Sequence, residues 1–296
     1  MLCESDHAYI VVDDKMNRSM KAFIAQSLAG GPIELNQIID LNPQDLAKNC
    51  HIGLPVQSLV SLLEKLKTGS INAVIDASTS ISAQMLSTKM RDSNLQGPSL
   101  QRVHVDVGKL LADKLIDKFG RTMELVESIQ ISHVQGGHVE GVASCSTNNI
   151  IILPLMRGGE PMARGVYDRF PTSSFIHFYD GEDEIDKKNG LLVKTLENFA
   201  DSSKPVVIIL VDSVINTGMS IQRSIHYIYK VAKKVNSQLE LVVYVLSGVM
   251  QEEAAKHLPR QFLRVRFLTL RLSKNKYTGK GTSDTGNRLF GTTLIE

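Results

Sequence analysis

The sequence predicts an α/β fold: a largely parallel sheet flanked by helices. Three observations carry this. From residue 150 to the C-terminus, short apolar strands alternate with helical patterns. Residues 206–211 (VVIILV) form an unbroken apolar run, the pattern of a strand covered on both faces. That run passes through Asp212 and a glycine-containing turn into an amphipathic helix. Strand–turn–helix units of this kind place ligand sites at the carboxyl ends of strands.

The elements follow in order. Residues 8–12 and 71–75 read as strands, with helical patterns at about 18–28 and 56–66 between them. Asp13 and Asp14 follow the first strand, as a solvated turn or as metal or nucleotide ligands. The pattern breaks over 81–97. A helix is expected over 99–118, with Val103, Val107, Leu110, Leu111 and Leu115 at three- and four-residue spacing. Residues 136–149, rich in Gly, Ser, Thr and Asn, read as hairpin or loop. Strands follow at 150–153, 175–178, 206–211, 241–246 and 265–270, and helices at 159–167, 221–235 and 252–257. The 221–235 helix carries Ile221, Ile225, Ile228, Ala232 and Val235 on one face.

Composition excludes several classes. No apolar run approaches the ~18 residues that cross a bilayer, so no membrane partner is expected. The start, MLCESDHAY, has neither a basic nor an apolar signal region, and a cytoplasmic protein is expected. Lys plus Arg number 33 against 31 Asp plus Glu, a net charge of +2 that gives no global field for nucleic acid. Trp is absent and aromatics are 5%, which argues against base-stacking platforms. Cys3, Cys50 and Cys145 are odd in number and far apart, so reduced thiols are expected rather than a disulfide framework. His133 and His138 flank a Gly-Gly pair without the Cys or acidic partners of a zinc site, so no protein-bound metal is expected there.

The segment with chemistry is residues 206–224. Asp212 follows the strand, and the turn 213–220 (SVINTGMS) opens directly into a helix. Helix-start N–H groups are unpaired and carry partial positive charge, which suits a phosphate. Gly218 permits close backbone approach and positive φ, while Thr217 and Ser220 add hydroxyls. Asp212 suits sugar hydroxyls. Neither GxxxxGK[ST] nor GxGxxG occurs.

This segment resembles the phosphoribosyl-pyrophosphate (PRPP) loop of type I phosphoribosyltransferases. Further motifs narrow the resemblance to the uracil phosphoribosyltransferases, whose loop reads Asp-Pro-Met-Leu-Ala-Thr-Gly-Gly-Ser. Residues 152–165 (ILPLMRGGEPMARG) resemble that family's pyrophosphate loop, and 170–174 (FPTSS) its Ile-Pro-Ser-Ala. Residues 281–292 (GTSDTGNRLFGT) resemble its C-terminal base loop, and 88–92 (TKMRD) its start. The resemblance spans about 85–296 and implies a type I phosphoribosyltransferase-like domain with a C-terminal base-binding hood. Residues 1–84 remain as a small α/β extension. Family members also occur fused behind P-loop kinase domains, but no phosphate loop lies in 1–84. That extension is either the tail of a decayed kinase domain or an unrelated packing element.

By resemblance, the substrates are uracil and PRPP and the products UMP and pyrophosphate, with Mg²⁺ carried mostly by the pyrophosphate. Asn216, Thr217, Gly218, Met219 and Ser220 hold the 5′-phosphate. Asp212 holds the ribose hydroxyls and faces the cationic ring, and Arg157 neutralises pyrophosphate. Gly281, Ser283 and Asp284 meet the base, and Tyr277 covers its pocket. Arg288 and Phe290 pack structurally. A homodimer or tetramer is implied as well.

The site also diverges. Where the family has Tyr-Arg-x-Glu-Glu-Thr, whose arginine helps bind pyrophosphate, this chain has Tyr179-Asp180 amid further acids. Asn216, Asn287, Gly158, Glu160 and Ser283 depart from the pattern too. Carboxylates near a polyanion are unfavourable unless a metal intervenes. Two readings stay open: an active enzyme of pyrimidine salvage, with Lys280 or an arginine elsewhere supplying the missing charge, or a catalytically silent homologue that binds a nucleotide or phosphate as a regulatory or interaction subunit.

Overall fold

Alternation along one strand builds the two halves of the core. In β6 (Val206–Ile215), Val206, Ile208 and Leu210 pack into one hydrophobic cluster, and Val207, Ile209 and Val211 into another. Successive side chains of a strand point to opposite faces, so β6 must be covered on both. The computed structural model describes residues 74–121, 125–144, 149–180, 188–202, 204–276 and 279–292.

The described elements, in chain order, are β1 (Ile75–Asp76), α1 (Ile81–Arg91), α2 (Gly97–Phe119), β2 (Val126–Ser132), β3 (His138–Ser144), β4 (Ile150–Pro154), α3 (Glu160–Tyr167) and β5 (Ser174–Phe175). They continue with α4 (Gly190–Glu197), β6, α5 (Met219–Val235), β7 (Leu241–Gln251), α6 (Glu252–Gln261), β8 (Val265–Ser273) and α7 (Thr285–Phe290). The main sheet has the order β1-β8-β7-β6-β4-β5, with every pairing parallel. The α/β class with a parallel sheet flanked by helices is therefore as the sequence predicts. Residues of α4, α5 and α6 share the core cluster on one face, and residues of α2 and α3 that on the other. No described helix is long and apolar enough to cross a membrane.

The α5 stripe is buried as expected at Ile221, Ile225, Ile228 and Ala232, with Val235 partly buried against the same cluster. In α2, Val103, Val107, Leu111 and Leu115 are buried, and Pro98 opens the helix where a missing N–H costs nothing.

Several expectations change. The strand read at 71–75, grouped in the sequence with the N-terminal extension, is represented by β1, an edge strand of the main sheet paired to β8. The break at 81–97 contains α1. Ser80 caps it, its hydroxyl accepting from the Ala83 N–H at 3.2 Å. Its apolar residues point both ways, with Ala83 and Met90 buried and Ile81 and Met85 exposed, so no clean periodicity shows. The hairpin expected around 136–149 is present over its described residues, where β2 pairs antiparallel to β3 across Gly136-Gly137, both at positive φ, although its first strand β2 lies upstream of that range. The strand at 175–178 is shorter, with Phe178 making one isolated bridge to Leu155. The expected elements at 8–12, 18–28 and 56–66, Asp13-Asp14, the three cysteines and Tyr277 lie outside the described residues.

The C-terminus is pinned to the body by Arg288, which donates to the carbonyls of Met90, Asp92 and Leu95 at 3.1, 2.6 and 2.9 Å. Nearby, His104 of α2 is 1% exposed. Its Nδ1–H donates to the Leu100 carbonyl at 2.9 Å, and its Nε2 has no hydrogen-bond partner among the described residues. Burial pushes its pKa down to about 4 and the Arg288 charge adds to this, while the Leu100 bond opposes it.

The unfolded chain therefore takes up a proton at His104 near pH 6.5, before the folded chain does. Stability is full above that pH and is lost as pH falls toward about 4, by on the order of 3 kcal/mol. Urea unfolding at pH 7 and pH 4.5 checks this: the loss on acidification is expected to be smaller in His104→Gln than in the parent.

Candidate functional site

Strand order reverses between β4 and β6, because from there the chain builds outward to β5 on one side and to β7, β8 and β1 on the other. Two segments leave the sheet side by side at that point, and a crevice opens between them. A cleft of about 330 Å³ lies there, within the size range of small-molecule sites. Met156, Arg157 and Gly158 line it after β4, and Asp212, Ser213, Val214 and Asn216 line it from β6. Gly279, Asp284, Thr285 and Gly286 of the C-terminal segment form the remaining wall.

β6 is longer than the sequence indicates. It continues past Asp212, with Val214 and Ile215 paired to Val249 and Met250 of β7. Asp212 therefore sits inside the last turns of the strand rather than in the loop, and the loop shrinks to Asn216–Gly218. Two things extend it. The long β7 supplies ladder partners, and the buried Ser213 hydroxyl is satisfied by donating to the Gly158 carbonyl. Gly159 must be a glycine, since a Cβ there would lie 2.1 Å from the Val211 carbonyl oxygen. The segment after β4 thus lies directly against the backbone of β6.

The turn reaches α5 through Gly218, which takes φ +81° and caps the helix. Its Thr217 hydroxyl accepts from the Met219 N–H at 3.4 Å. Thr217 and Met219 are exposed, Asn216 and Ser220 half-buried and Gly218 buried. The five residues 216–220 carry no formal charge, so what they offer an anion is amides, hydroxyls and the helix dipole.

Asp212 is half-buried. Loss of hydration pushes its carboxyl up to about 7, and the Asp180 charge adds to this. Hydrogen bonds from the Val214 and Ser213 N–H groups pull the other way. Arg157 spans the cleft toward the C-terminal segment. Its Nη2 donates to Asn287 Oδ1 at 3.2 Å, and its guanidinium lies 5.8 Å from the Phe290 ring centroid. The Thr292 hydroxyl donates to the same Asn287 oxygen at 2.7 Å.

The hood is a 3₁₀ turn (Gly281–Ser283) followed by α7. The Asp284 side chain caps α7, accepting from the Asn287 N–H at 2.8 Å. Ser283 is turned into its own loop: its hydroxyl donates to the Lys280 carbonyl and accepts the Lys280 N–H. Of the base-loop residues singled out in sequence, Asp284 is on the cleft wall, while Gly281 and Ser283 are not among its lining residues.

Asp180 is brought back to this site from across the chain. Its Oδ2 accepts from Arg223 Nη2 of α5 at 2.6 Å. The acids at 182–186 lie outside the described residues. Sequence reading gave no site role to Ser213, Thr285, Gly286 or Arg223, and marked Asn287 only as a departure from the family pattern. For Arg223 a signal existed, its position three residues beyond Ser220 on one helix face. For the others, only the fold brings them to the cleft. Among the described residues no group of three His, Cys, Asp or Glu forms a metal cage. The acids of the cleft wall are Asp212 and Asp284, a donor set suited to a cation that arrives mostly coordinated by ligand phosphates.

The family model described as "Uracil phosphoribosyltransferase" matches residues 77–292. A uracil phosphoribosyltransferase of Sulfolobus acidocaldarius is 23% identical over 213 residues, covering 69% of this chain and 93% of that protein. One from Pyrobaculum islandicum is 23% identical, with 71% and 95% covered. One from Ureaplasma urealyticum is 28% identical over 147 residues, with 49% and 67% covered. Among solved structures, the AQ2163 protein from Aquifex aeolicus superposes with a TM-score of 0.55 at 14% identity, covering 75% of this chain and all of that one. This last likeness is one of fold.

The raised carboxyl of Asp212 has a cost with a definite sign. Between its ordinary value near 3.8 and about 7, the folded chain holds a proton that the unfolded chain has lost, so this group's contribution to stability falls as pH rises through that range. Asp212→Asn is expected to raise the thermal midpoint at pH 8, with the gain vanishing toward pH 4. Calorimetric scans across pH measure this, and equal midpoints at pH 8 would refute it.

Proposed function

This chain belongs to the uracil phosphoribosyltransferase family, and from that premise we propose that it transfers the phosphoribosyl group of PRPP to uracil, giving UMP and pyrophosphate in pyrimidine salvage in the cytoplasm. The observation that carries this is the crevice where strand order reverses. A charge-free, hydroxyl-bearing helix start and Asp212 lie on one side of it, and Arg157 crosses it from the other.

Each part has a role that its chemistry supports. The 5′-phosphate docks on the amides of 216–220 and the hydroxyls of Thr217 and Ser220. In its ionised form, Asp212 accepts hydrogen bonds from the ribose hydroxyls and sets negative charge beside C1. As the C1–oxygen bond to pyrophosphate breaks and its electron pair leaves with that group, C1 becomes cationic, and a fixed carboxylate then stabilises it more than it stabilises the ground state. Arg157 meets the departing pyrophosphate. Uracil N1 forms the new bond to C1, and the proton of its N1–H passes to solvent water. Backbone groups around Asp284, Thr285 and Gly286 present donors and acceptors to the base, which penalises a base that leaves them unpaired. Mg²⁺ bound to the pyrophosphate oxygens, with Asp212 or Asp284 as its protein contact, would neutralise leaving-group charge.

A second reading is favoured by Asp180, which puts a second carboxylate beside Asp212 in a site for a polyanion. On that reading the chain binds a nucleotide or phosphate ligand without turnover, as a regulatory or interaction subunit.

We also propose that the chain assembles as a homodimer or tetramer through the face of the β2–β3 hairpin on which Ile131 and Val139 pair and stand exposed. A two-stranded hairpin is marginal alone, and a contact would cover these residues. Light scattering on the full chain checks this, with a monomer mass counting against it. For the activity, labelled uracil, PRPP and Mg²⁺ are expected to yield UMP with the parent protein. Thr217→Ala is expected to lower the rate by about a hundredfold through lost phosphate positioning. No UMP from the parent, with UMP still raising its thermal midpoint, would replace the enzyme reading with the second one.

A further inference from the structure

We infer that Asn287 is a positioning residue that sets the direction of Arg157 across the cleft. This rests on the function proposed above, in which Arg157 meets pyrophosphate, and adds to it the residue that aims that cation. Asn287 is not among the residues lining the cleft. It acts on the ligand through the arginine alone. Arg157 needs such a support, because it is exposed and stands in the segment after β4 rather than on a strand or helix. A long side chain loses rotamer freedom when it grips a ligand, and that cost falls if the protein has already fixed it.

The support comes from α7. Arg157 Nη2 donates to Asn287 Oδ1 at 3.2 Å, and the guanidinium lies 5.8 Å from the Phe290 ring centroid. Asn287 and Phe290 are three positions apart on one helix, so they present one face to the arginine. Among the described residues, the bond to Asn287 is the one side-chain hydrogen bond of Arg157. A guanidinium has five N–H donors in a planar fork, so a single bond on one nitrogen leaves donors for a polyanion. The amide oxygen is neutral, so it orients the guanidinium without offsetting its charge.

Asn287 can aim the arginine because it is itself fixed on every polar group. Its Oδ1 also accepts from the Thr292 hydroxyl at 2.7 Å, and its Nδ2 donates to the Gly281 carbonyl at 3.3 Å. Its backbone N–H donates to Asp284 Oδ1 at 2.8 Å, and its carbonyl accepts from the Thr292 N–H at 3.1 Å. These partners also choose the orientation of the amide. A flipped amide would turn its NH₂ toward the guanidinium and its oxygen toward a carbonyl, so the oxygen belongs to Arg157. The cation of the β4 loop is therefore aimed by an anchored amide on the opposite wall. One such exposed hydrogen bond adds little to stability, so its gain lies in pre-orienting the guanidinium.

Titration calorimetry on the full chain, with inorganic pyrophosphate and Mg²⁺ and separately with ribose 5-phosphate, tests this. Asn287→Leu is similar in size but cannot hydrogen-bond. It is expected to weaken pyrophosphate about fivefold and to leave ribose 5-phosphate, whose contacts lie on the β6 side, unchanged. Arg157→Gln is expected to weaken pyrophosphate about tenfold or more. The double variant is expected to be no worse than Arg157→Gln alone, because Asn287 acts through the arginine. Thr292→Val removes the second donor to Oδ1. It is expected to weaken pyrophosphate about twofold, again sparing ribose 5-phosphate, and serves in place of Asn287→Leu if that variant does not fold. Equal losses for the two ligands in Asn287→Leu would make the residue merely structural and overturn the inference. Losses that add in the double variant would overturn it too. Unchanged pyrophosphate affinity in Asn287→Leu, with ribose 5-phosphate lost in Thr217→Ala, would overturn it while leaving the proposed function standing. So would a parent protein that binds ribose 5-phosphate but not pyrophosphate. A parent that binds neither would sink both.

Discussion

A strand buried on both faces has nowhere to show a polar side chain except near its end. β6 is such a strand, with Ile208, Leu210, Val207, Ile209 and Val211 sealed into the two clusters. Polar chemistry is thereby confined to Asp212 onward. Because β4 lies on one side of β6 and β7 on the other, the carboxyl end of β6 coincides with the reversal of strand order. The loops after β4 and β6 consequently diverge, and the crevice between them needs no special architecture beyond this packing. Arg157, Gly158 and the C-terminal segment then complete walls around a position that the core had already fixed.

The electrostatics of the crevice follow from the same burial. A carboxylate held within a covered strand, with buried residues on either side of it, loses hydration, which moves Asp212 up to about 7. Asp180 adds to that strain, yet it also holds Arg223. An acid that looks hostile to a polyanion in sequence thus has a cationic partner in the fold. On the other wall, Arg157 is held between Asn287 and Phe290, so the basic group of the β4 loop is tied to the hood.

Much of the fold was legible because its cause is local. The 206–211 run, the α5 stripe and the α2 stripe are periodicities of burial, and each element lies where its period places it. The element at 81–91 was not legible, since its start depends on the Ser80 cap and its apolar residues face both core and solvent. The end of β6 was not legible either, because Val214 and Ile215 join the ladder only when β7 runs alongside. Among site residues, Asp212, Arg157, Asn216 and Asp284 were marked by motif and line the cleft. Thr217, Gly218, Met219 and Ser220 form the adjoining turn and helix start. Gly281 and Ser283 were marked by the same motif but are not lining residues, since the 3₁₀ turn directs the serine hydroxyl inward on itself.

By itself, the sequence determined the α/β class, the both-sided burial of β6, the phosphate-suited turn and the family. All of these rest on neighbours within a few positions or on motifs in chain order. Only the tertiary structure decided which polar groups meet. Asp180 and Arg223 are 43 positions apart, and Arg157 and Asn287 are 130 apart. The first pair joins the segment after β5 to a helix on the far side of β6, and the second joins a β4 loop to the C-terminal hood. No periodicity encodes such distances, because they are set by the order in which strands assemble in the sheet.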